Sequence, residues 1–183
     1  MNLSLLILLA ATLRGPADVA TLTRASDAVV HARVVHSSSA WGAGGPASGV
    51  IYTRVTLAPI EWWKGGALPA VTVRVPGGAV GEIDQTVQGV ARFAEGEEVV
   101  VFLRRLAPGL FDVERWALGK FAVHAPARGG TSRAVDSASR AVDTASRAVR
   151  DRSGLTCAGC GADEEDDLAL GELRQRVRGS LPR

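Results

Sequence analysis

Apolar and polar positions alternate most regularly between Gly49 and Leu106. Val71, Val73 and Val75 take turns with Thr72 and Arg74, the signature of a half-buried strand. Pro76-Gly77-Gly78 stops that run. The run from Val50 to Trp63 is too long for one straight strand, and Pro59 cannot donate a ladder hydrogen bond. The pattern therefore predicts one long strand with a bulge or bend near Pro59, ending at Lys64-Gly65-Gly66. Val99, Val101 and Leu103 form one face of the next strand and Val100 and Phe102 the other, so this strand is expected to be covered on both sides.

The flanks extend the scheme. Pro16 to Asp27 reads as a short helix with Pro16 in its first turn. Ala28 to His36 reads as a strand, with Val30, Ala32 and Val34 on one face and Val29, His31, Arg33 and Val35 on the other. Ser37 to Ser48 reads as a Ser/Gly/Pro loop, and Gly119 to His124 as a last strand. Asp163 to Gly179 reads as a helix with acids at its start, Arg174, Arg176 and Arg178 at its end, and a stripe of Leu170, Leu173 and Val177 that caps one side of the barrel. Several short strands between Pro/Gly turns predict a mainly β domain, a small closed antiparallel barrel with short N-terminal and C-terminal helices. Its expected core includes Val30, Val34, Val55, Val73, Val101 and Phe121.

Two segments fall outside this pattern. Leu3 to Leu13 is an uninterrupted run of apolar and small residues with the length of a signal-peptide core, too short for the roughly 20 residues of a spanning helix. Residues 1–15 are thus expected to be an export signal, the alternative being a buried N-terminal helix. The domain follows at 16–124, with a repeat at 125–152 and a turn and capping helix at 153–183. The repeat reads SRAVDSA, SRAVDTA, SRAVRDR with a seven-residue period. Its Val and Ala spacing is formally a heptad seam, but a thin one, and a flexible or transiently helical surface insertion is expected.

Composition adds mainly exclusions. A hydrophobic fraction of 46% suffices for a core, and 21 basic against 19 acidic residues, a formal charge of +2, create no strong field for nucleic acid or an anionic membrane. No cofactor, metal site, stable membrane insertion or nucleic-acid partner is expected. The histidines are His31, His36 and His124, read as surface or rim residues. The acids read as solvated strand ends and turns, not as a general acid and base. Cys157 and Cys160 form one CxxC pair, half of what a structural zinc site needs. The five acids Asp163 to Asp167 that follow would raise a thiol pKa, so a turn whose thiols could close a disulfide is expected. Trp62-Trp63 is the foremost candidate contact, because adjacent strand residues face opposite sides and an exposed indole can anchor a partner; the alternative is that a flanking helix covers it. Arg54 and Arg74, on the polar faces of their strands, read as a modest basic patch or as solvated neighbours of Asp or Glu.

The succession SDAVVHARVV, YTRVTLAPIEWWKGG, VTVRVPGG, GEEVVVFL, GKFAV resembles a family of exported, largely uncharacterised bacterial proteins. More remotely it resembles the netrin-like module of tissue inhibitors of metalloproteinases. The resemblance spans residues 25–124 and implies a five-stranded barrel of OB type with flanking helices. Those inhibitors present an N-terminal cysteine to a catalytic zinc. This chain has no cysteine before Cys157, so no inhibitory residue carries over. The resulting expectation is an exported, periplasmic or secreted, non-enzymatic protein-binding module of the cell envelope or extracellular space. The alternatives are a protease inhibitor-like module, or a small redox or hydrolytic enzyme using Cys157 and Cys160 or His36.

Overall fold

The structure, a computed structural model, describes residues 18–66, 68–125, 146–150 and 165–181. The expected export signal, Cys157 and Cys160, and the first two repeat units lie outside them. Helix α1 (Val19–Ala25) leads into β1 (Ala28–Trp41), β2 (Ile51–Lys64) and β3 (Val71–Pro76). A small hairpin follows, β4 (Gly78–Val80) with β5 (Ile83–Gln85). Then come β6 (Glu98–Ala107), β7 (Leu110–Val113), β8 (Lys120–His124), β9 (Arg147–Arg150), β10 (Asp167–Ala169) and helix α2 (Leu170–Gly179).

Five strands close on themselves in the order β1-β2-β3-β7-β6, with β6 pairing back onto β1. This is the small closed barrel expected from the alternation, in a Greek-key order of OB type. One expectation needs correction: β3 and β7 run parallel, pairing Thr72 with Leu110, Val73 with Phe111 and Arg74 with Asp112. Strand directions cannot alternate around a closed ring of odd number, so a five-stranded barrel must contain a parallel pair. The other four junctions are antiparallel.

The barrel interior holds Val30, Val34, Val55, Val73 and Val101, as the alternation predicts, together with Leu57, Val71, Leu103 and Phe111. Phe121 is buried elsewhere. It joins a second core outside the barrel, with Val29, Trp63, Val100, Phe102, Leu170, Leu173 and Val177. The reason is strand pairing. β6 is long enough to pair with β7 through Leu103–Ala107 and with β8 through Val99–Val101. β8 therefore starts a side sheet, β8-β9-β10, that the two helices help to cover. This second layer explains why β6 is apolar on both faces.

The bend near Pro59 sorts the two tryptophans. Ala32 opposes Pro59 and His31 opposes Glu61, so Ile60 has no partner across the ladder. Val55 and Leu57 point into the barrel, and the one-residue shift at Ile60 then turns Trp62, not Trp63, toward that interior. Trp63 is delivered to the second core. Immediately after, Lys64 Nζ donates to the Thr23 and Ser26 carbonyls at the end of α1, both at 2.6 Å.

Other segments differ from the expectations. Ser37 to Trp41 continues β1, because pairing with Ile51–Val55 supplies the ladder bonds and Ser39 Oγ meets Thr53 Oγ1 at 2.9 Å. A short 3-10 turn follows at Gly45–Ser48. Arg147–Arg150, the end of the repeat, is a sheet strand between β8 and β10, with Ala148 and Arg150 buried. Asp167–Ala169 is an extended strand, so α2 begins only at Leu170. Neither β7 nor the β4–β5 hairpin stood out in the sequence.

Candidate functional site

The register places four charged side chains in one row across the outer face of the barrel. Arg54 of β2 opposes Arg74 of β3, Arg74 opposes Asp112 of β7, and Asp112 opposes Arg104 of β6. Each flanks inward-facing core residues: Val55, Val73 and Val75, Phe111 and Val113, and Leu103. The strand pleat therefore turns all four outward.

Arg74 is the fixed member of this row. Its Nε and Nη2 donate to the two Asp112 carboxylate oxygens at 3.2 and 3.1 Å. Its guanidinium carbon lies 4.8 Å from the centre of the Tyr52 ring. The hydrogen bonds from Arg74 to Asp112 outweigh desolvation and hold the guanidinium pKa above its ordinary value. Arg104 is looser, 60% exposed, with Nη2 at 3.9 Å from Asp112. Two cations, Arg74 and Arg104, thus share one carboxylate, and Arg54 lies at the outer end of the row beyond Arg74.

Beside this row is a hollow of about 230 Å³, walled by Arg74, Arg104, Asp112, Val113, Pro76 and Trp116. Trp116 reaches it through an unusual turn in which Arg115 (φ 52°) and Trp116 (φ 58°) are both left-handed. Such a pair is costly for residues with a Cβ and persists only where the surroundings impose it. The Ala117 N–H donates to Gly89 O at 3.0 Å. At Gly119 any side chain would collide with the Glu114 carbonyl. A second hollow, of about 260 Å³, is lined by Ser37, Thr53, Asp84, Gln85 and Arg92. Val75, Pro76, Val90 and Ala91 line both.

The remaining candidates are dispersed. Trp63 is only 4% exposed. Its indole N–H donates to Glu61 at 3.0 Å, and the Arg174 guanidinium of α2 lies 5.9 Å from its ring centre. A partner cannot reach it while α2 is in place. Trp62 is half-buried against the barrel interior. His31, expected at the surface, is buried because it faces the second layer, with Nε2 2.7 Å from Glu98 Oε1. His36 is exposed and lies 3.0 Å from Glu95, whose carboxylate also accepts the Ser37 N–H at 2.9 Å. That N–H bond, aided by His36, keeps the Glu95 carboxyl more acidic than usual. Glu61, Glu97 and Glu98 all meet cations rather than solvent alone. Among the described residues no three His, Cys, Asp or Glu side chains are grouped to hold a metal ion.

Comparison with protein-family models, with curated proteins and with solved structures gives no match to this chain.

Proposed function

We propose that the protein is an exported, non-enzymatic binding module of the cell envelope or extracellular space, and that its partner is a protein. The observation that carries this reading is the row Arg54-Arg74-Asp112-Arg104 beside a hollow walled by Trp116. Arginine, tyrosine and tryptophan are the side chains that dominate binding energy at protein interfaces. Here Arg74 is already held rigid by Asp112 and Tyr52, which lowers the entropy lost on contact. The apolar run at Leu3 to Leu13 supports export, and the strand succession resembling exported netrin-like proteins is consistent with it.

The same row favours a second reading. A basic face with Tyr52 and Trp116 is also what a single-stranded nucleic acid would stack on. A net charge of +2 makes this the weaker reading. The test is capture from envelope and secreted fractions on immobilised full chain, with Arg54→Glu/Arg104→Glu as the altered surface and Arg24→Gln as the control. Loss of the captured protein with the double variant alone is the expected result. Capture indifferent to the double variant would reject the surface. Tight, salt-sensitive binding of a single-stranded oligonucleotide would favour the second reading instead.

A further inference from the structure

We infer that the hollow between Arg74, Arg104 and Trp116 is a carboxylate-binding pocket that takes the C-terminal residue of a polypeptide partner with an apolar or aromatic last side chain. This rests on the protein-binding reading above and names the part of the partner that enters.

Charge selects a monoanion. The hollow faces two guanidinium groups and one carboxylate, a local surplus of a single positive charge. A phosphate dianion would overfill that surplus, whereas a carboxylate matches it. Geometry provides the donors for a planar, two-oxygen anion. Arg74 spends Nε and Nη2 on Asp112, which fixes the plane of the guanidinium and leaves the Nη1 donors for a ligand. Arg104, 3.9 Å from Asp112, is beyond hydrogen-bond distance in its present position and can turn a fork toward the same ligand. Asp112 therefore acts as the positioning residue and the two arginines as the contact groups.

The rest of the hollow selects the body of the ligand. Val75, Pro76 and Val113 provide an apolar floor, and Trp116 a flat wall. Trp116 is presented by two consecutive left-handed residues, a strained arrangement tied down through Ala117 N–H to Gly89 O. At about 230 Å³ the hollow is smaller than the usual site for a drug-sized ligand and accommodates one residue rather than several.

The test uses full-length protein and calorimetric titration with a five-residue peptide ending in Phe, as free acid and as C-terminal amide. N-acetyl-phenylalanine serves as the small-molecule arm. The acid peptide is expected to bind at least tenfold more tightly than the amide. Arg104→Gln and Trp116→Ala should each weaken the acid peptide at least fivefold, and Arg24→Gln, remote on α1, should leave it unchanged. If N-acetyl-phenylalanine also binds, the pocket accepts free carboxylates as well as protein termini; if only the peptide binds, the terminus is the ligand. Equal affinity for acid and amide, no binding of either, or displacement of the peptide by inorganic phosphate at lower concentration than by acetate would each overturn the assignment. Capture that still depends on Arg54 and Arg104 while no acid peptide binds rejects the pocket and leaves the surface reading intact. Acid-peptide binding without such capture does the reverse.

Discussion

At the residue scale, Lys120 is a buried cation. Its side chain is 4% exposed, and Nζ meets Glu97 Oε1 at 2.6 Å and Arg92 O at 2.5 Å, with the Phe93 ring centre at 5.1 Å. Lys120→Met should cost roughly 3 kcal/mol in urea unfolding, because the carboxylate and carbonyl lose the cation that satisfies them. Asp18 makes a pH-dependent contribution. Burial opposes its charge, but the Thr21 hydroxyl and N–H, at 2.7 and 2.8 Å, outweigh that and lower its pKa. A carboxyl more acidic in the folded than in the unfolded chain stabilises above the unfolded pKa of about 3.9 and loses that contribution as pH falls through the folded value. Asp18→Ala should therefore be about 1 kcal/mol less stable than the parent at pH 7, and the gap should narrow below pH ~4. A gap that widens on acidification would contradict this role for the cap.

At the scale of elements, junctions decide more than strands. Gly65 ends β2 with φ +80°, and a Cβ there would lie 2.7 Å from Asp27 O and 2.9 Å from the Ala28 Cβ. Gly65→Ala should lower stability by about 2 kcal/mol or more, through both the left-handed backbone and the clash with the start of β1. The repeat offers a sharper contrast. Ala148 of β9 is fully buried in the second core. Ala148→Asp should lower the melting temperature by at least about 10 °C, since a carboxylate there has no water. Deleting Ser132 to Ala145, outside the described residues, should shift it by only a few degrees, because shortening a connection changes closure entropy by at most about 1 kcal/mol. Equal effects of the two changes would mean that the earlier units also pack.

At the scale of the whole molecule, two cores share β1, β2 and β6. Leu170, Leu173 and Val177 of α2 close the second core over Phe102 and Trp63. Glu61 on β2 holds α2 from outside through Arg174 and Arg178. Leu173→Ala should cost about 3 kcal/mol. Amide exchange should accelerate first in β8, β9, β10 and α2, while β1, β2 and β3 stay protected. Uniform acceleration would show that barrel and outer layer open as one unit.

The sequence by itself determined which residues share a face along each unbroken stretch of strand, because side chains alternate with period two whatever the strand pairs with. It thereby located Val30, Val34, Val55, Val73 and Val101 in the barrel, and Pro59 marked the region of the bulge that turns Trp62 rather than Trp63 inward. It also singled out Arg54 and Arg74. It could not show that Asp112 and Arg104 complete their row, because register between strands distant in the chain is set by closure of the barrel and not by local pattern. Tertiary pairing likewise decided that Phe121 packs outside the barrel, that Ser37 to Trp41 is strand, and that Arg147–Arg150 belongs to a sheet. In each of these segments the residues have weak or mixed local preference, and the partner strand supplies the hydrogen bonds and buried area that settle the conformation.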